Sequence, residues 1–461
     1  MRTTPQGRLA AMLLAACALT PLSWAQEDNT PAPEQPAPVQ EEPPLPPPSP
    51  SARDLFERSK DAIVQVRLLL KSANEQSSIG SGFVVRTESD GSAWVVTNYH
   101  VVSELALQPH AYQIELRGTD QTRAPATLVA IDVIHDLAVL RTSSSTPQRK
   151  WPTLEIRSTP IAQGTSVYSL GNPLELGFLI SDGIYNGAVE NRLYEQMLFS
   201  GALNPGMSGG PALDSTGEVV GVNVATRRDG DLLSFLVPVR YLRPLLERAW
   251  TSTKPSDWQK EIGQQLVAHQ GFLTQALLGP DASAAAQAAK LPGFSTQRIE
   301  GREVMTLDSA ITRCWANGDN EPGSRYLEDR IQCALNDEVY VSRRMYTGSL
   351  NISHVLIRNQ TLATPQFLEV SGYNSSRNTY VAQDELTPDR CHSDYLQGKS
   401  RVYRVSSCLQ TYREFPGIFN FSIRATQVDS TSERLYSQMT MSGFSFDNAR
   451  RLGDQFLRRL P

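Results

Sequence analysis

Residues 204–211 read NPGMSGGP, which sets Ser208 between Gly206 and the pair Gly209 and Gly210. Glycine tolerates dihedrals and close approaches that a Cβ forbids, so this stretch can form a tight turn that exposes a hydroxyl and converges backbone N–H groups on one point. Acyl transfer needs that pairing: a nucleophile beside fixed donors for the oxyanion formed when a carbonyl is attacked. Gly-rich turns are common and most only reverse the chain, but two upstream segments add to the reading. The β-branched run AWVVTNYHVV, residues 93–102, delivers His100 at its end, and HDLAVL, residues 135–140, sets Asp136 before an alternating apolar run. Either alone reads as a polar group at a strand end. Together they supply a base, an orienting carboxylate and a nucleophile in the chain order His, Asp, Ser.

That order belongs to chymotrypsin-like double barrels, whereas hydrolases on other folds order the three groups differently. Residues 53–245 resemble the HtrA/Deg family of trypsin-like serine proteases. GSGFVV at 80–85 is similar to that family's first-barrel strand, and SLGNP at 169–173 with SDGI at 181–184 to its Gly-Asn-Pro turn and the strand after it. EVVGVNVA at 218–225 is similar to its strand behind the nucleophile, and LSFLVPV at 233–239 to its last barrel strand. The resemblance implies that Ser208 is the nucleophile, His100 the base and Asp136 the group that orients the imidazole without taking its proton. It also implies an oxyanion hole from the N–H groups of Gly206 and Ser208, and no cofactor.

His135 is expected on the opposite side of an extended strand from Asp136. His110, His269, His354 and His392 belong to no motif and read as surface or structural. Met207 stands where digestive trypsins carry the aspartate that pairs with a newly cut N-terminus, which argues against activation by clipping. HtrA-like proteins usually have Asn at this position. The resemblance implies instead that loops 203–207 and 226–232 switch activity by ordering and disordering. Ala202, six residues before Ser208, occupies the place of the trypsin specificity aspartate. A small uncharged residue there predicts cleavage after Val, Leu or Ala rather than after Lys or Arg.

These groups need a scaffold of short strands. Residues 63–67, 126–131 and 219–224 are β-branched and bounded by turn residues, an all-β signature. DSTG at 214–217 reads as a hairpin turn, and helices are expected to open the domain at 52–61 and close it at 240–250. The expected fold is an all-β double barrel over 53–250, a helical linker over 251–292, and an α+β C-terminal domain with an antiparallel sheet over 293–461. In the linker, Trp258, Ile262, Leu266, Leu273 and Leu277 recur at near-helical spacing, with Gly271 as an interruption, and 282–290 is alanine-rich. Both read as packing helices. In the last domain, 338–342, 350–357, 401–405, 419–427 and 434–442 read as strands. A helix is expected at 445–460, with Phe446, Ala449, Leu452, Phe456 and Leu460 down one side. HtrA proteins normally carry PDZ domains here, but no glycine-led carboxylate-binding loop occurs.

Residues 1–25 read as a secretory signal, with Arg2 and Arg8 before an apolar core and a small-x-small site ending at Ala25. LAAC at 14–17 also has the form of a lipobox, in which Cys17 would be lipidated and tether the chain to a membrane. Residues 26–52 are rich in Pro, Glu and Gln and are expected to be a disordered spacer. Apart from Cys17, the chain has Cys314, Cys333, Cys391 and Cys408, all in the last domain. Of three pairings, the nearest-neighbour one, Cys314 with Cys333 and Cys391 with Cys408, is expected. Their spacing does not suit zinc. A net charge of −5 without a basic cluster speaks against nucleic acid. The reading is an exported endopeptidase for unfolded or exposed polypeptides, periplasmic or secreted. The alternative is a protease-fold binding or chaperone-like envelope protein. The partner of the last domain is open.

Overall fold

The computed structural model describes residues 50–143, 151–173, 176–224, 234–251, 257–280, 291–308, 310–372 and 383–461. The chain divides into two units, Met1–Pro47 and Pro48–Pro461, and every described residue belongs to the second. The signal-like segment, the spacer up to residue 49, the loop 226–232 and the alanine-rich run 282–290 lie outside the described residues.

A helix, α1 (Pro50–Ser59), leads into a closed six-stranded antiparallel barrel. Its strands are β1 (Ile63–Leu70), β2 (Glu75–Thr87), β3 (Ala93–Thr97), β4 (Tyr112–Gly118), β5 (Arg123–Asp132) and β6 (Leu137–Thr142), with α2 (Tyr99–Leu107) after β3. The second barrel comprises β7 (Ser166–Gly171), β8 (Leu179–Ala188), β9 (Met197–Phe199), β10 (Pro211–Leu213), β11 (Val219–Val224) and β12 (Ser234–Pro238). α3 (Val239–Thr251) closes it. Between the barrels lies an apolar layer in which Phe83, Val96 and Leu137 meet Leu170, Leu213 and Val222, plugged by Leu55 from α1 and by Leu242 and Leu246 from α3. This is the expected double barrel. DSTG forms its hairpin turn because the Asp214 carboxylate accepts from the backbone N–H groups of Thr216, Gly217 and Glu218.

α4 (Trp258–Leu278) runs straight through Gly271, so the expected interruption does not occur. A Cβ there would meet only open space, and a lone glycine costs a helix only about 1 kcal/mol. The last domain begins with the hairpin β13 (Phe294–Ile299) and β14 (Arg302–Leu307). Next come β15 (Thr312–Asp319) and β16 (Tyr326–Leu335), a small hairpin β17 (Val339–Ser342) and β18 (Met345–Thr347), and β19 (Leu350–Asn359). α5 (Thr364–Val370), β20 (Arg390–Gln397), β21 (Val402–Thr411), β22 (Phe419–Gln427), β23 (Glu433–Phe444) and α6 (Phe446–Leu457) complete it. Seven strands form one antiparallel sheet in the order β15-β16-β19-β23-β22-β21-β20. Disulfides join Cys314 to Cys333 and Cys391 to Cys408. Each is a directly opposed cross-strand pair that fixes an edge strand to its inner neighbour.

α6 packs Ala449, Leu452 and Phe456 into the sheet's core, but Phe446 is half exposed instead of lying on that face. It sits at the first turn, edge-on to Phe419 of β22. No described helix is long and apolar enough to cross a membrane.

The first barrel's interior does not stop at its strands. Val64, Val66, Tyr99 and Val102 belong to one continuous apolar cluster with Ile262 and Leu266 of α4, Val341 and Met345 of the β17–β18 hairpin, and Phe415. Tyr99 is fully buried and its hydroxyl donates to the Val341 carbonyl at 2.9 Å. The β17–β18 hairpin and α4 therefore dock on the short helix that starts at Tyr99.

Candidate active site

The site is assembled at the junction of β3 and α2. The apolar β3 is wholly buried, and the chain turns into α2 at Asn98, leaving the first helical N–H groups without intrahelical partners. Asp136 supplies the missing acceptor from another part of the barrel. Its Oδ1 accepts the His100 backbone N–H at 2.8 Å, while Oδ2 lies 2.6 Å from His100 Nδ1. Its carbonyl accepts from the Tyr99 N–H and from Asn98 Nδ2. Asp136 holds φ at +57° to do this. A non-glycine residue in that left-handed region costs about 1–3 kcal/mol and persists where surrounding bonds over-determine it. With the Nδ1 proton committed to the carboxylate, Nε2 is left as the ring's proton acceptor. Burial pulls the His100 pKa down, but the charge of Asp136 and its hydrogen bond outweigh that and hold it above the ordinary imidazole value.

His135 is not on an extended strand: residues 133–136 form a turn, so alternation does not set its direction. Its ring stacks on Tyr241 with centroids 3.8 Å apart, and its Nδ1 is 2.8 Å from Asp132 Oδ2. It plays a structural part beside the cleft. His269 and His354 are buried rather than superficial. His269 Nδ1 is 2.9 Å from the Tyr194 hydroxyl, and burial pushes its pKa down to about 4. His354 is held between the Ser437 hydroxyl and the Met305 carbonyl, with burial likewise pushing its pKa down to about 4. His110 and His392 are exposed.

The Ser208 loop is clamped to the same junction. The Ser81 N–H donates to the Ser208 carbonyl at 2.7 Å, and the Ser81 hydroxyl donates to the Gly206 carbonyl at 2.6 Å while accepting the Asn172 N–H. The Gly209 N–H donates to the Asn223 carbonyl, and Asn223 Nδ2 reaches the Leu170 carbonyl at 3.0 Å. Gly209 has φ +85°, and a Cβ there would lie 2.3 Å from both the Ser81 carbonyl oxygen and Thr97 Oγ1. The serine thus sits one residue from a backbone packed directly on β3, two residues before the helix that bears His100. Gly206 has φ +97°, and among the described residues its N–H meets no acceptor. Met207 is fully buried against Gly171, so its side chain cannot receive a charged N-terminus. Ala202 is exposed, and the loop 226–232 expected to switch activity is outside the described residues.

Residue types alone do not reveal several contributors. In the sequence Ser81 is only part of a strand motif, and in the structure it is the bolt between the barrels. Tyr340 and Tyr346 arrive from the last domain. Tyr340 sets its ring edge-on to His100 at 6.1 Å and its hydroxyl 3.4 Å from Ser103 Oγ. Burial raises the Tyr340 pKa to about 12, so the phenol stays neutral. The only local hint is the alternation of VYVSRRMYT at 339–347. Among the described residues, no group of three or more His, Cys, Asp or Glu is placed to hold a metal ion.

Residues 80–222 match the family model of the trypsin-like peptidase domain. The chain is 30% identical over 278 residues to "Protease Do-like 1, chloroplastic" of Arabidopsis thaliana, covering 57% of this chain and 60% of that protein. It is 34% identical over 173 residues to "Probable periplasmic serine endoprotease DegP-like" of Pseudomonas putida, covering 36% of this chain and 33% of that one. A crystal structure of Deg5 is 25% identical over 42% of this chain and 91% of its own, with a TM-score of 0.36. The matched stretch thus spans less than two thirds of these curated relatives.

Proposed function

We propose that the chain, which matches the trypsin-like peptidase domain over residues 80–222 and is similar to HtrA/Deg proteases, is an exported serine endopeptidase that cleaves unfolded or exposed polypeptides. The observation that carries the reading is the double grip of Asp136 on His100, through the backbone N–H and Nδ1. In the reaction, Ser208 Oγ bonds to the substrate carbonyl carbon as its proton passes to His100 Nε2. The oxyanion that forms is met by the N–H groups of Gly206 and Ser208. His100 then protonates the departing amine, and water, deprotonated by the same imidazole, releases the acyl group from Ser208. Ala202 favours Val, Leu or Ala before the scissile bond. Export is supported by the signal-like segment 1–25 and by two disulfides in the last domain. Lipidation at Cys17 is the alternative that would leave the protein on an envelope membrane.

The test is labelling of the full chain by a fluorophosphonate together with casein hydrolysis. Labelling at Ser208 with casein cleavage is expected, and cleavage sites should follow Val, Leu or Ala. A full chain that neither labels nor cleaves is a binding protein on a protease fold. Cleavage chiefly after Arg would remove the role given to Ala202.

A further inference from the structure

Where the β17–β18 hairpin meets the barrels, a cavity of about 260 Å³ opens beside His100 and Asp136. Its walls come from separate parts of the chain: Ile134 from the β5–β6 turn, Tyr194 from the β8–β9 connection, Tyr241 from α3, and Tyr340 and Tyr346 from the hairpin. The walls are fixed before anything binds. Tyr340 packs edge-on to Tyr346 at 5.3 Å and to Tyr99 at 6.4 Å. The connection bearing Tyr194 is pinned to the last domain, where Asp337 accepts from Arg192 and from the Leu193 N–H at 2.7 Å. The Asn336 side chain donates to the Asn191 carbonyl.

This cavity is smaller than the ~300–1,000 Å³ of a drug-sized ligand site and holds the volume of about eight or nine waters at ~30 Å³ each. That room suits one bulky side chain. Rigid aromatic walls offer large apolar contact at little conformational cost. We propose that the β17–β18 hairpin is a specificity element of the protease. Tyr340 and Tyr346, with Tyr194 and Tyr241, enclose a subsite for an aromatic or large aliphatic side chain of the substrate polypeptide, close to the scissile bond. The proposal rests on the endopeptidase reading and adds a second recognition point, distinct from Ala202 and supplied from the far end of the chain.

Binding can be tested apart from turnover. In the full chain carrying Ser208→Ala, acetylated hexapeptides of alanine with Val at the third position carry Phe at each other position in turn. Their dissociation constants are measured by calorimetry at fixed salt. At one position or two adjacent ones, Phe is expected to bind about tenfold tighter than Ala, about 1.4 kcal/mol. Adding Tyr346→Ala should bring that ratio to within about threefold, and Tyr346→Phe should restore it. Tyr346 is 37% exposed at the rim, so its truncation leaves the fold standing, which a melting curve verifies. The proposal is overturned if no position favours Phe, or if the preference survives Tyr346→Ala. A Ser208 chain that hydrolyses nothing would sink the endopeptidase reading while the binding ratios still decide this one.

Discussion

The barrel that carries His100 and Asp136 shares its apolar interior with α4 and the β17–β18 hairpin. The barrel that carries Ser208 closes over a small core of its own, formed by Val167, Met197, Phe199, Ala212, Val220 and Leu236. Its links to the later chain run through Arg192, Leu193 and Tyr194, in hydrogen bonds to Asp337 and His269, with Leu193 packed at the margin of the last domain's core and Tyr194 stacked on Phe272. His100 and Asp136 are therefore braced by the last domain, whereas Ser208 is braced by the first barrel through Ser81 and Thr97. In a two-barrel enzyme the halves of the machinery need not depend equally on a C-terminal domain.

Four substitutions and a pH series can break or sharpen this contrast. The largest effect is expected from Ser208→Ala, which should lower turnover about a millionfold because the triad acts as a unit. Its melting curve should stay that of the parent, since the change removes chemistry and no core. Next, Tyr99→Ala should cost about 3–5 kcal/mol in urea unfolding, the range for emptying a fully buried aromatic site. A loss under about 1 kcal/mol would mean that the first barrel and the last domain do not share a core.

The pH series ranks third. His269 and His354 have folded pKa values of about 4, below the ~6.5 of an unfolded imidazole. The stability they confer is full above pH ~6.5 and is lost as pH falls toward 4, about 3 kcal/mol for each. Equilibrium unfolding at a series of pH values should show this slope, and His354→Gln should make it shallower. His100 runs the other way. Its raised pKa gives stability that is full below the unfolded value and is lost as pH rises through the folded one. The acidic limb of kcat/KM should accordingly have its midpoint above ~6.5, because only the neutral imidazole accepts the serine proton. The smallest effect is expected from Tyr99→Phe, about 1–2 kcal/mol, for leaving the buried Val341 carbonyl without its donor.

Much of the double barrel is legible in the residues because many of its strands are β-branched and buried and a few of its turns need glycine. β3, wholly buried, and Gly209, packed against β3, are the clearest cases. The last domain is less legible where the sheet meets solvent. The edge strands β15 and β20 are largely exposed, so neither shows apolar alternation and neither stands out in the sequence. The inner strands β19, β22 and β23 do stand out. His135 misleads because one turn replaces the strand that its neighbours suggest. The aromatic wall beside His100 has only the alternation at 339–347 as a local sign, and nothing local pairs it with α2, since the Tyr99 hydroxyl and the carbonyl it meets are 242 residues apart.

The two disulfides sit at the outermost strands of the seven-stranded sheet, one at either rim. A rim strand ordinarily frays first and offers its bare amides to any extended neighbour. Here each is riveted to the strand inside it, so neither margin can peel away while its sulfurs stay oxidised. Thiol reductants would release both margins and leave the hairpin beside His100 attached to a sheet whose borders can open.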